Sequence, residues 1–145
     1  MSELSSPGGQ PLIIDDAKEG IFRVHRLAYA SDELFEREQR EIYDHCWLLL
    51  GHESEISQPG DFKTRTIALR PIIFCRDDAG EVRAFINSCP HRGAELCHEI
   101  EGNRSIFQCM YHSWTFKNTG EVHTVRAEDG FTGGFRLEAF SLKEV

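Results

Sequence analysis

Two short stretches of this chain each carry one cysteine and one histidine. The first is Cys89-x-His91 and the second is Cys109-x-x-His112, with 17 residues between them. Each pair follows a predicted strand and precedes a turn or a further strand, so we expect both pairs on loop tips at one end of a small β structure. A nucleophilic dyad needs one thiol and one base and does not account for two matched pairs. The spacing therefore favours a metal site built from both loops.

The composition is that of an ordinary globular domain. The chain has 145 residues, of which 40% are hydrophobic and 28% charged. Its net charge of -8 argues against a general nucleic-acid binder. The longest apolar runs fall far short of the roughly 20 residues that span a bilayer, and the N-terminus has no signal-peptide pattern. We therefore expect a cytoplasmic protein that binds neither nucleic acid nor membranes.

The other three cysteines are predicted to be structural. An odd total of five, with no signal peptide, argues against a disulfide scaffold. Cys75 lies within a predicted strand and Cys97 in a connection between strands. Cys46 shares a predicted helix face with Phe35 and Ile42, so we expect it to be a core contact. Free cysteine packs as a small hydrophobic residue, and we expect all three to do so.

The local patterns predict a mostly β chain with one helix in front. Residues 1–30 are expected to form an N-terminal arm, flexible up to about residue 20. Ser31 is a good N-cap, and a lead-in helix is predicted over residues 31–46. The predicted strands span residues 62–69, 71–76, 81–86, 106–108, 115–117 and 121–124. Short strands separated by turns predict a small antiparallel barrel or sandwich.

Two kinds of metal site use two cysteines and two histidines. Zinc accepts such a set in a tetrahedral site, although typical zinc modules take both cysteines from one stretch and both histidines from another. A Rieske [2Fe-2S] cluster takes two thiolates on one iron and two imidazoles on the other, which suits one of each from each loop. Cys89 and Cys109 would then bind the inner iron, and His91 and His112 the outer iron. No residue is predicted to be catalytic.

Residues 89–93 and 109–114 resemble the Rieske loops of the large (alpha) subunit of aromatic-ring-hydroxylating oxygenases. Residues 41–56 and 59–62 also resemble the helix-to-strand lead-in of that subunit. The resemblance covers roughly residues 31–125. It implies a Rieske [2Fe-2S] domain over residues 31–145, an antiparallel β-barrel or sandwich with the cluster-binding loops at one end.

The resemblance also implies a role in electron transfer. In that family the cluster receives electrons from a ferredoxin or reductase and passes them to a mononuclear iron, where dioxygen and the aromatic substrate react. Other alpha subunits, and in some members beta subunits, are the further partners. The mononuclear iron and its catalytic domain are expected to be absent from this chain, which ends at Val145. An independent Rieske ferredoxin is the alternative, and a structural zinc module is the third.

The loops depart from those of respiratory Rieske proteins at three positions. Ala94 and Tyr111 stand where those proteins have two disulfide-forming cysteines. Trp114 stands where they have a serine whose hydroxyl donates to the cluster. Because losing a donor to the sulfurs lowers the potential, we expect a potential at the low end of the Rieske range. Trp114 is expected to shield the cluster from water. Arg92 is expected either to serve in docking or charge balance, or to be a solvated loop residue. The remaining histidines are expected to be structural: His25, His45, His52, His98 and His123.

Overall fold

The computed structural model of the protein describes residue 9, residues 11–126, residue 130 and residues 136–145. The chain divides into two compact units, the first ending at Trp47 and the second beginning at Leu48. Both Cys/His loops belong to the second unit. None of the helices in the described ranges has the length and apolar character needed to cross a membrane.

The first unit begins with a β-hairpin that the sequence did not predict. It comprises β1 (Ile13–Asp16) and β2 (Ile21–Val24), followed by α1 (Leu27–Ala30), α2 (Asp32–Glu38) and a π-helical turn (Gln39–Tyr43). The Asp16 side chain accepts hydrogen bonds from the N–H groups of Lys18 and Glu19, and Gly20 has a φ of 64°. This local turn chemistry closes the hairpin. Residues 13–20 thus form regular structure where a flexible arm was expected, and residues 1–8 and 10 lie outside the described residues.

The lead-in helix begins where predicted and ends early. The Ser31 hydroxyl accepts a hydrogen bond from the Leu34 N–H at 3.4 Å, as expected of an N-cap. At Gln39 the helix widens, because the Asp44 N–H donates to the Gln39 carbonyl at 3.0 Å. A π turn rotates the following residues off the α-helical stripe. Cys46 is exposed, so its predicted place in the core is wrong.

The helix lies in the first compact unit together with the hairpin. Phe35 and Ile42, predicted on its apolar face, are 47% and 53% exposed. The placement of a domain boundary at residue 31 stays a prediction.

The second unit contains two antiparallel sheets, in agreement with the predicted mostly β fold. One sheet has the strand order β5-β4-β3-β6 and the other β7-β8-β9. The strands are β3 (Asp61–Ile67), β4 (Arg70–Arg76), β5 (Val82–Ile86), β6 (Glu101–Asn103), β7 (Ile106–Gln108), β8 (Thr115–Lys117) and β9 (Val122–Thr124). Two 3₁₀ turns, Glu53–Ile56 and Leu137–Phe140, flank them.

The β3–β4 hairpin closes two residues earlier than predicted. Ile67 pairs with Arg70, which leaves Ala68 and Leu69 as the connecting turn. Both have positive φ, 46° and 64°, as a type I′ turn requires. Glycine or asparagine usually marks such a turn, so the alanine–leucine pair carries no turn signal and continues the predicted strand.

The core of this unit lies between the two sheets. Phe62 on β3 meets Phe107 on β7 edge to face, with ring centroids 5.4 Å apart. Cys75 and Cys97 are buried as predicted, and burial raises the pKa of Cys75 to about 12 and that of Cys97 to about 11. These thiols are packing groups. The cysteines and the tryptophan of the two loops are buried in the same cluster.

Candidate metal centre

The first Cys/His loop follows β5 and is a tight backbone turn. The Cys89 N–H donates to the Ala94 carbonyl at 2.7 Å, and the Gly93 N–H donates to the Cys89 carbonyl at 2.8 Å. Gly93 has a φ of 72°, a conformation that glycine adopts without steric cost. The loop therefore folds back on its own cysteine.

The second loop joins β7 to β8 and repeats this pattern. The Cys109 N–H donates to the Trp114 carbonyl at 2.8 Å, and the Ser113 N–H donates to the Cys109 carbonyl at 2.9 Å. Ser113 has a φ of 59°, at the position that Gly93 occupies in the first loop. The two loops thus share one backbone design, although the histidine stands two residues after the cysteine in one and three in the other.

The two loop cysteines form a buried thiol pair. Cys89 and Cys109 are each 1% exposed, and their side chains lie within hydrogen-bonding reach of each other. The backbone N–H groups of His91 and Arg92 favour the charged form of the Cys89 sulfur. Burial raises the pKa of Cys89 and the neighbouring Cys109 raises it further, against the lowering effect of those N–H groups. Such thiols lose their protons when a metal binds.

The two loop histidines form a second pair. The ring centroids of His91 and His112 are 4.6 Å apart, with the planes at 74°. Among the described residues, the Nδ1 atom of His91 is buried and has no hydrogen-bond partner. Burial lowers the pKa of His91, and the charges of His112 and Arg92 lower it further. A neutral imidazole with a buried, unpartnered nitrogen has the form of a metal ligand.

Trp114 covers one face of this pair. Its indole stacks on His91 with centroids 4.6 Å apart and planes at 8°. Trp114 is 2% exposed, and Phe140 packs against it edge to face at 5.4 Å. Tyr111, which is 65% exposed, lies over His112 at 4.0 Å. Both histidines are half-buried; a buried ring covers His91, and an exposed ring lies over His112.

The four donors thus stand as a thiol pair and an imidazole pair. Within the part of the chain that the structure describes, no three histidine, cysteine or carboxylate side chains gather closely enough to hold a single metal ion. A two-iron cluster needs two pairs, each drawn from both loops. The buried, unpartnered Nδ1 and the chemistry of this donor set fit such a cluster.

The other residues singled out in the sequence have ordinary surroundings. Arg92 is exposed. His52 caps the 3₁₀ turn at residues 53–56, the His25 ring accepts from the Leu27 N–H, and His98 lies 3.5 Å from the Glu95 carboxylate.

Comparison with known proteins identifies the class. The family model described as the Rieske [2Fe-2S] domain matches residues 46–140. The chain therefore belongs to the Rieske [2Fe-2S] domain family, whose cofactor is an iron–sulfur cluster bound by cysteine and histidine.

The relatives are large subunits of ring-hydroxylating dioxygenases. The chain is 40% identical to the large subunit of 2-halobenzoate 1,2-dioxygenase from Burkholderia cepacia, over 86% of this chain and 27% of that protein. It is 38% identical to the alpha subunit of toluate 1,2-dioxygenase from Pseudomonas putida, over 82% of this chain and 26% of that protein. The chain thus spans about a quarter of the length of these relatives.

Solved structures show the same fold. Naphthalene 1,2-dioxygenase from Rhodococcus sp., bound to indole, matches with a TM-score of 0.78 and 37% identity, over 83% of this chain and 28% of that one. A quaternary ammonium Rieske monooxygenase matches with a TM-score of 0.74 and 35% identity, over 82% of this chain and 32% of that one. The antiparallel architecture predicted from the sequence is confirmed.

One residue of the site was missed in the sequence. Asn87 stands two positions before Cys89, is 1% exposed, and hydrogen-bonds to the chain that leaves the first loop. A polar residue at the end of an apolar strand was the only available signal, and it does not reveal what the side chain contacts.

Proposed function

We propose that this chain is the electron-transfer domain of a ring-hydroxylating oxygenase large subunit. Cys89 and Cys109 would hold one iron of a [2Fe-2S] cluster, and His91 and His112 the other. The observation that carries this assignment is the buried, unpartnered Nδ1 of His91 beside a second imidazole, in the same two loops as a pair of buried thiols. A bound cluster would take up and release one electron at a time.

The residues around the donors have separate tasks in this proposal. The N–H groups of His91 and Arg92 favour the thiolate form of Cys89, and donors to a ligand sulfur would raise the potential of a bound cluster. Trp114 excludes water from the face of His91. The outer side carries His112 with the exposed side chains of Met110 and Tyr111, so partners would approach there.

The proposed partners follow from the relatives. Electrons would arrive from a ferredoxin or reductase and leave to a mononuclear iron in a catalytic domain outside this chain. The relatives act within multicomponent systems, as in the naphthalene 1,2-dioxygenase system, whose large oxygenase component is 39% identical to this chain. Other alpha subunits, with or without beta subunits, complete the proposed assembly in the cytoplasm.

Anaerobic purification with metal analysis tests the assignment. We expect two irons and two sulfides per chain, a coloured oxidised protein and a single one-electron reduction. A colourless protein with stoichiometric zinc and no iron would contradict it. The matched control is Cys75→Ala, which removes a buried packing thiol and should leave the iron content unchanged.

An independent ferredoxin would give the same spectrum, so the gene sequence has to distinguish it from our proposal. Under our proposal the open reading frame continues past Val145 into a region with two histidines and a carboxylate. A stop codon after Val145 would favour a free electron carrier.

A further inference from the structure

The two candidate cluster loops share their internal hydrogen bonds but differ in the pairing at their base. The second loop joins β7 to β8, whose ladder brings Gln108 opposite Thr115 at the base of the loop. The first loop follows β5, which pairs with β4 on one edge. On its other edge β5 meets the C-terminal segment, because the Ile86 N–H donates to the Lys143 carbonyl at 2.9 Å. Among the described residues, no strand after the first loop pairs with β5.

At the base of the first loop, the side chain of Asn87 makes the hydrogen bonds that a paired strand would otherwise make. Its Oδ1 accepts from the Cys97 N–H at 2.9 Å, and its Nδ2 donates to the Cys97 carbonyl at 2.7 Å. This reciprocal pair of bonds is the one that two opposed residues of an antiparallel ladder exchange. The amide also accepts from the Leu96 N–H at 3.2 Å and donates to the Glu95 carboxylate at 3.2 Å. Its hydrogen-bonding capacity is fully used.

The backbone of Asn87 is held in place as well. The Asn87 N–H donates to the Pro71 carbonyl on β4 at 2.8 Å, and the residue is 1% exposed. Asn87 therefore links the sheet directly to Cys97, across the base of the loop that carries Cys89 and His91. The link fixes Cys97 between two other closures of this segment, the Cys89–Ala94 bond at the loop and the β6–β3 ladder that begins at Glu101.

We propose that Asn87 is the positioning residue of the first cluster loop, holding Cys89 and His91 in register with Cys109 and His112. This inference rests on the proposed function, because Asn87 would affect the stability and geometry of a cluster that both loops bind. Outer-shell groups that orient metal ligands typically change metal affinity about 10–100-fold when they are removed.

The test substitutes Asn87→Asp and compares it with Asn118→Asp. Aspartate has the shape of asparagine, but its carboxylate has no N–H and would face the Cys97 carbonyl. Asn118 is the matched control because it is also 1% exposed and donates to Asp78 and to the Arg104 carbonyl, without a contact to the first loop. Both variants should lower the melting temperature.

Only Asn87→Asp should change the cluster. We expect its iron to be lost to a chelator about 10–100-fold faster than in the wild type, with a shifted reduction potential and altered nitrogen couplings in the EPR of the reduced protein. Asn118→Asp should keep wild-type values. Asn87→Ala, which adds no charge, should change the cluster in the same direction if the aspartate variant does not fold.

The outcomes separate the two proposals. A wild-type protein with a Rieske cluster, and an Asn87→Asp variant no different from Asn118→Asp in chelator release, potential and EPR, would overturn the inference alone. A wild-type protein that binds no such cluster would overturn the proposed function and the inference with it.

Discussion

His91 is fixed by aromatic contacts on two sides. Trp114 stacks on its face at 4.6 Å, and His112 meets it edge to face at the same centroid distance. A ring held in this way keeps its buried Nδ1 in one orientation, which preorganises the ligand before a metal arrives.

Replacing Trp114 tests that contact. Trp114→Leu removes the stacking face and should let water reach His91, so the cluster should be lost in air about 10-fold faster or more. Trp114→Phe keeps an aromatic face and is the control, with a lifetime near that of the wild type. The decay of the visible absorption gives both rates. Equal lifetimes for the leucine variant and the wild type would contradict this role.

Asp77 makes stability depend on pH. It is 1% exposed and accepts from the N–H groups of Ala79 and Glu81 at 2.9 Å and from Arg83 at 3.1 Å. Burial alone would raise the pKa of Asp77, but these bonds lower it below the usual value. Because the folded-state pKa is depressed, the stabilisation is present above the unfolded pKa of about 3.9 and is lost as the pH falls through the folded value.

Asp77→Asn should remove this stabilisation. We expect a loss of about 1–3 kcal/mol in the free energy of unfolding at neutral pH, and a flatter acid limb of the stability curve. Urea titrations at several pH values measure both. Glu121→Gln, which removes an exposed ion pair with Lys117, should change little. An acid limb as steep in Asp77→Asn as in the wild type would contradict the assignment.

The β8–β9 turn and strand β5 approach each other closely at Gly120. Gly120 has a φ of 88°, and a Cβ there would lie 2.5 Å from the Phe85 ring. Gly80 has a φ of 91° with nothing within 4 Å of the same position. The β8–β9 turn therefore packs directly on β5, next to the first cluster loop.

Alanine at each glycine separates strain from packing. Both substitutions carry the cost of positive φ, about 1–2 kcal/mol. Gly120→Ala adds the clash with Phe85, worth about a further 1–3 kcal/mol. Thermal or urea unfolding of the two variants measures the difference. Equal losses of stability would show that the turn does not pack on Phe85 in solution.

At the scale of the secondary-structure elements, strands with strong local signals were predicted well. β7 and β8 have the predicted bounds, because short runs of strand-forming residues lie there between clear turns. β6 was missed, since Glu-Gly-Asn carries no strand pattern and pairs only because Gly102 fits against the Phe62 ring. The N-terminal hairpin and the Ala68-Leu69 turn depend on pairing that local propensity does not encode.

At the scale of the whole molecule, the four candidate ligands could be predicted from the sequence, but the residues that hold them in place could not. The spacing of two cysteines and two histidines in matched loops predicts four ligands, and the fold brings these side chains together as two pairs. That they bind a cluster stays a prediction. The link from Asn87 to Cys97 and the stack of Trp114 on His91 join residues that only the fold brings together.

The reduction potential is a property of the assembled site. Trp114 stands where a serine hydroxyl would donate to the cluster and raise its potential. We expect a potential in the lower part of the Rieske range of about -150 to +300 mV, measured by redox titration. A value near the upper end would contradict the expected effect of the missing hydroxyl.

Nitrogen hyperfine spectroscopy of the reduced protein tests the central claim most directly. In protein labelled with ¹⁵N at histidine, we expect couplings to two imidazole nitrogens, and the loss of one coupling or of the whole cluster in His91→Ala and in His112→Ala. His98→Ala is the control and should leave both couplings unchanged, since His98 pairs with Glu95. A reduced cluster without coupling to histidine nitrogen would contradict the assignment of His91 and His112 as ligands.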